Sequence, residues 1–154
     1  MKEAECIADQ LRRAWEGEAW HGPSLKEILT GITAAQAAAR PIAAAHSIWE
    51  LVHHITAWEG IVLRRLGGEV VKDVSSEIDW PPVGEKSEAA WQRALAALEE
   101  SNRKLREAIA RLPDERLHER VPGKQDNFYL ELHGIVQHDL YHAGQIALLK
   151  KALG

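Results

Sequence analysis

The chain of 154 residues is expected to fold as an all-α four-helix bundle, and three observations carry that expectation. Apolar residues recur at helical spacing in four long segments, and no stretch alternates as a strand would. Those segments carry start and stop signals: Ser or Thr followed three residues later by Glu or Gln, and Gly or Pro beyond the last turn. No internal period recurs, which separates a bundle from a solenoid. With 45% apolar and 27% charged residues the composition is ordinary for a globular protein. One domain spanning residues 1–154 is expected, long enough to bury about two thirds of the surface its unfolded chain exposes.

The first helix is expected over residues 3–18, with Ala4, Ile7, Ala8, Leu11, Ala14 and Trp15 on one face and His21-Gly22-Pro23 as its stop. Two short pieces follow, each opened by a capping box: Ser24 with Glu27, then Thr33 with Gln36. Pro41 closes that connector. The second long helix begins at Ser47, boxed with Glu50, and runs to Leu66 before Gly67-Gly68. Residues 67–86 contain Trp80-Pro81-Pro82 and no periodicity, a loop longer than a compact domain keeps without reason. The third helix, about 87–112, carries Trp91, Leu95, Leu98, Asn102, Leu105, Ile109 and Leu112 at steps of four and three. That is a heptad seam with one polar member, closed by Pro113. After an irregular stretch comes the fourth helix, about 128–152. It is apolar over much of its circumference, so it is expected to be the most buried of the four. The long connectors after the first three helices can carry the chain back along the bundle, so simple up-down alternation is not required.

Charge and composition remove several function classes. The net charge of -4 and the lack of a basic stripe leave no electrostatic footprint for nucleic acid. No run of about 18 apolar residues exists, so no membrane-spanning helix is expected. The first residues lack the apolar core of a signal peptide. The single Cys6 allows no internal disulfide, which fits a reducing, cytoplasmic setting.

Eight histidines are the chemical feature. His138 and His142 are the one pair four residues apart, so on a helix both side chains point the same way. They are either two ligands of one ion or two polar residues of a helical core. A metal on a bundle needs a further ligand from a facing helix. His54 falls at the edge of the second long helix's apolar arc, between Leu51 and Trp58, and is the candidate. His53 lies nearly opposite that arc's centre and is expected to face solvent. His21, His46, His118 and His133 read as structural or surface residues. Two acids occupy apolar positions, Asp139 in the fourth helix and Glu59 in the second. Buried carboxylates need partners: such a group orients a liganding imidazole or makes a structural hydrogen bond or ion pair. Asn102 in the seam has the same two readings. The pair Glu50 and His53 forms an ExxH unit, but its only counterpart, Glu115 and His118, lies in an irregular segment. A di-iron carboxylate site is therefore not expected.

The segments HSIWELVHHITAWEG and HGIVQHDLYHAGQIALLKKAL, with AWHGPSLKEILTGITAAQAAARPI before them, resemble the DinB/YfiT-like superfamily of metal-binding four-helix bundles. The resemblance implies an up-up-down-down bundle, often homodimeric. It implies one divalent metal ion, zinc or nickel first and iron or copper next, held by His54, His138 and His142. It also implies a small thiol or electrophile as partner. The activities it implies are a thiol S-transferase, a metal-dependent hydrolase, or metal binding without catalysis. No catalytic residue beyond the ligands is assigned, and Asp139 and Glu59 are the residues expected to support them.

Overall fold

A computed structural model describes residues 1–154. The chain folds as α1 (Glu3–Glu16), α2 (Leu25–Leu29), α3 (Ala34–Ala38), α4 (Ile48–Leu66), α5 (Ser76–Asp79), α6 (Glu88–Ala110), a 3-10 turn (Asp114–His118) and α7 (Phe128–Ala152). The expected all-α bundle is present, with α1, α4, α6 and α7 as its long helices.

Local chemistry sets the boundaries. The capping boxes form as the spacing predicts. At α4, Glu50 N donates to Ser47 Oγ at 3.2 Å while Ser47 N donates to Glu50 Oε2 at 2.7 Å. Each box satisfies two amides that a helix start otherwise leaves unpaired. α1 ends before the expected residue 18, because Gly17 at φ 147° and Glu18 at φ 62° leave helical space. At its other end the Asp114 carboxylate accepts from Glu3 N and Ala4 N, both at 3.0 Å. An acid there complements the positive end of the helix dipole and ties the 3-10 turn to α1.

Helix directions follow from side-chain pairs. α4 and α6 run parallel: Trp49 meets Trp91 with ring centroids 5.2 Å apart, and three turns on Asn102 donates to Glu59 at 2.9 Å. α4 and α7 run antiparallel, since His54 faces His142 near one end and Arg65 pairs with Glu131 near the other. Around the ring the order is α1, α6, α4, α7. Two neighbours, α7 and α1, point one way, and α6 and α4 point the other. Along the chain the senses therefore read up, down, down, up, which corrects the expected up-up-down-down order: the parallel pair is α4 with α6, not α1 with α4. A parallel α4–α6 pair obliges residues 67–87 to travel back the length of α4, about 28 Å for its 19 residues. That return is the reason for the long connector.

The core has two apolar halves. One holds Trp15, Ile48, Trp49, Trp91, Leu98 and Ile146, and the other Leu11, Val62, Leu105, Ile109, Phe128 and Leu132. Between them lies a polar layer. Glu59, Asn102 and Asp139 are each 2% exposed or less, and each sits where its helix passes from one half to the other.

One expectation is corrected. α7 is not the most buried helix: 11 of the 19 residues of α4 are buried, against 9 of the 25 in α7. Leu130, Tyr141 and Leu148 of α7 face outward, because α4, α1, α2 and the 3-10 turn pack on its other sides and no element of this chain covers that face.

Trp91 is fully buried and its Nε1 donates to the Ile32 carbonyl at 2.8 Å, tying α6 to the turn before α3. Trp91→Ala is expected to destabilise the fold by about 3–5 kcal/mol through cavity formation and the orphaned carbonyl, measured by denaturant unfolding.

Candidate metal centre

The antiparallel seam of α4 and α7 brings His54, His138 and His142 together. Their ring centroids stand 4.5 to 4.9 Å apart, and one ring nitrogen of each lies within 4.8 Å of the others. His54 and His142 are 5% and 6% exposed. The His138 side chain retains 25%.

Hydrogen bonds decide which nitrogen each ring presents. His54 Nδ1 lies 2.6 Å from the Asp79 carbonyl oxygen. A carbonyl only accepts, so Nδ1 carries the proton and Nε2 is a lone pair. His142 Nδ1 likewise meets Gln145 Oε1 at 2.6 Å, leaving its Nε2 free. His54 Nε2 faces His138 Nε2 at 3.1 Å, and His138 Nδ1 is buried without a partner. Two nitrogens about 2.1 Å from one zinc-sized ion, at angles between 90° and tetrahedral, stand about 3.0–3.4 Å apart. The observed spacing fits that geometry. Three neutral imidazoles that expose lone pairs to one point form a donor set that could hold a divalent ion.

Burial sets the protonation. Loss of solvation lowers all three imidazoles below their ordinary value, His142 to about 4. The neighbouring rings act in the same direction on His54 and His142, because charging one ring discourages the next.

A strap from the long connector closes the centre from outside. Besides the Asp79 carbonyl on His54, the Asp79 carboxylate accepts from Trp58 Nε1 at 2.7 Å, and His53 Nδ1 donates to the Pro81 carbonyl at 3.3 Å. Trp80 stacks flat on His54 at 3.8 Å, and His46 stacks on the opposite face of Trp80 at 3.6 Å. His53 is therefore not the solvent-facing residue that the helical wheel predicts. It is half-buried, accepts from Trp49 Nε1 at 3.1 Å, and pins the strap. Neither His46 nor His53 shares the point where the three rings converge.

Behind the rings lies the polar layer. Asp139 Oδ1 is 3.7 Å from His138 Nδ1, close enough to orient that ring after a small shift. Glu59 reaches the centre only through Asp139. Burial pushes both carboxyls above the ordinary range, and the nearby Asp139 adds to the rise at Glu59. Two further residues escaped the sequence reading. Arg65, 2% exposed, pairs with Glu131 and donates to the Val71 carbonyl through Nε at 3.1 Å and Nη2 at 2.6 Å, locking α4 to α7 and to the start of the connector. Trp80 gave no signal beyond standing in an aperiodic loop too long to be idle.

A cavity of about 470 Å³ opens beside His142, lined by Ile42, Leu51, Trp80, Tyr141 and Leu149 among others. A smaller one of about 270 Å³ lies on the His138 side, beside Trp58 and Arg65. A cavity of about 500 Å³ between Trp15, Leu29 and Leu95 touches none of the histidines, so chemistry rather than size selects the one at His142. No helix is long and apolar enough to cross a membrane.

Among known proteins, a family model described as the DinB superfamily matches residues 19–146, a span that includes all three histidines. No curated protein and no solved structure matches the chain.

The lowered imidazoles fix the sign of a pH effect. A depressed pKa means that protons compete with an ion only well below pH 6.5, the ordinary imidazole value. Metal is expected to stay bound as pH falls from 7 through 6 and to leave on approach to pH 4. Metal content after dialysis at each pH measures this, and release centred on pH 6.5 would contradict buried, neutral ligands.

Proposed function

The chain belongs to the DinB superfamily, and on that premise we propose that it is a divalent-metal-dependent enzyme of the thiol S-transferase type, acting on small apolar electrophiles. The observation that carries the reading is three imidazole lone pairs converging at the edge of a largely apolar cavity of small-molecule size. His54, His138 and His142 are the proposed ligands. Zinc and nickel suit three imidazoles, and iron and copper accept them too. A divalent ion held by three neutral ligands keeps positions open and stabilises a thiol as its thiolate at neutral pH.

The chain's own residues supply the rest. Asp79 and Gln145 hold two rings by their Nδ1 protons, so the Nε2 lone pairs stay aimed at one point. Trp80 covers His54 and limits water at that face. Ile42, Leu51 and Leu149 form the wall against which the apolar part of an electrophile would lie. A transferase is favoured over a hydrolase because the cavity wall is largely apolar, no carboxylate lines it, and its one further imidazole, His46, is stacked on Trp80. Asp139 and Glu59 lie buried behind the rings, and the Asp79 carboxylate is engaged by Trp58. Activation of water for hydrolysis calls for a base within reach of the attacking water.

Incubating the metal-loaded chain with several cellular thiols and apolar electrophiles tests the reading. Metal-dependent thiol consumption is expected, falling at least about a hundredfold in His142→Ala as metal is lost, with helical circular dichroism retained. Full metal binding without turnover for any pair would leave a non-catalytic metal protein instead. Equal metal content in the wild type and His142→Ala would remove the site itself.

Ile42→Asp places a charge in the cavity wall at a position already 42% exposed. It is expected to raise KM for an apolar electrophile roughly tenfold, the scale of one lost hydrophobic contact, with metal content unchanged. Steady-state kinetics with the electrophile varied measures this.

A further inference from the structure

Gln145 touches the metal centre with one end of its amide and leaves the other end free. Its Oε1 lies 2.6 Å from His142 Nδ1, a contact that three-residue spacing along a helix favours. The site itself decides which end is oxygen. Were the amide reversed, Nδ1 would accept, the ring proton would sit on Nε2, and no lone pair would face His54 and His138. With Oε1 turned to the ring, the Nε2 amino group turns away from it and meets no acceptor within the chain.

Gln145 is half-buried in the wall of the 470 Å³ cavity beside His142. Seven of the ten residues lining that cavity are hydrophobic, so few polar groups there can orient a ligand. His142 has both nitrogens committed, Nδ1 to Gln145 and Nε2 to the point where the three rings converge. The His46 side chain is 45% exposed and Tyr141 66% exposed, so both meet water at the rim. Gln145 carries two N–H donors with no partner, further in.

The choice of residue is a second observation. A carboxylate is a usual partner for the N–H of a liganding imidazole, and as a charged acceptor it binds more strongly than an amide. What the amide adds is a pair of donors, and nothing else in the chain uses them. We propose that Gln145 sets the specificity of the cavity: its Oε1 orients His142 while its Nε2 donates to an oxygen of the bound molecule. The ligand is then an apolar molecule that carries a carbonyl-type oxygen. The inference rests on reading this cavity as the electrophile's site. Because the amide stands one imidazole's width from the point of convergence, the oxygen it takes lies near the reacting carbon, and Leu51 and Leu149 meet the apolar remainder. A site built to hydrogen-bond an oxygen rejects the analogue that lacks it, since its own donor is then left unpaired.

Two unreactive probes of one shape test this: acetophenone, and α-methylstyrene, in which a CH2 group replaces the carbonyl oxygen. Each is titrated into the zinc-loaded wild type and zinc-loaded Gln145→Glu, with the backbone amide shifts of Leu51, Trp80 and Leu149 in nitrogen-15 NMR reporting occupancy. Gln145→Glu keeps an acceptor for His142 and removes both donors. The ratio of the two dissociation constants within each protein cancels the difference in hydrophobicity between the probes. The preference for acetophenone is expected to be about tenfold larger in the wild type than in Gln145→Glu, the scale of one hydrogen bond, with zinc content equal. Neither thiol nor turnover is involved, so the outcome stands apart from that of the thiol assay. Gln145→Met, similar in length but without donor or charge, is expected to lose the same preference, which separates the missing donor from the added charge. Repeating the titrations on the metal-free proteins keeps the ratios readable if either variant holds zinc less tightly. Equal ratios in the wild type and both variants overturn the proposal, as does a wild-type cavity that takes up neither probe. A preference lost in Gln145→Glu but kept in Gln145→Met overturns the donor role as well.

Discussion

A hydrogen bond of 2.6 Å from His54 Nδ1 to the carbonyl oxygen of Asp79 ties the long connector to the helix it has just left. It fixes the tautomer of His54, and with it the direction of the Nε2 lone pair. It also stops the connector midway along α4, where Trp80 can stack on the same ring. Without that bond the imidazole could present either nitrogen to α7, and the strap would have no anchor at the centre. The parallel course of α4 and α6 is what brings the connector there: two parallel neighbours demand a return path, and this one runs over the His54 face of α4.

The bond works because the rings are largely buried. Loss of solvation keeps the three imidazoles neutral, and a neutral imidazole is both a ligand and a donor of one N–H. The same burial would make the acids of the polar layer costly were they fully charged. Glu59 offsets part of that cost through Asn102, which donates to it from α6 at 2.9 Å. The layer is polar in the middle of an apolar core, and it gives α4, α6 and α7 one register in which their hydrogen bonds can form. It also sets a carboxylate behind the one imidazole of the three whose Nδ1 has no other partner.

The distribution of charge over the surface separates two sides of the molecule. The α1–α6 side is held by ion pairs exposed to solvent, of the kind that contribute little to stability but keep a surface hydrated. The outer face of α7 has none of them. A helix apolar all round asks to be enclosed, and this chain leaves Leu130, Tyr141 and Leu148 of it exposed. The cavity at His142 opens at the boundary of that uncovered face, which joins the chemistry of the centre to whatever covers α7.

Much of this was legible in the residues themselves. Helix starts at Ser24, Thr33 and Ser47 are local events, decided by a hydroxyl and a carboxyl or amide three residues apart, and such signals need no tertiary information. The pairing of His138 with His142 follows from the pitch of one helix, and the candidacy of His54 from its place on the wheel of another. Tertiary structure decided what depends on contacts far apart in sequence. It turned His53 from a solvent-facing residue into a clamp on Pro81, and set Trp80 between His46 and His54. It buried Arg65 in a pair with Glu131, and left the outer face of α7 bare. Periodicity reports which faces of a helix are apolar, but not which neighbour arrives to cover them. That is settled only when the helices choose their order around the ring.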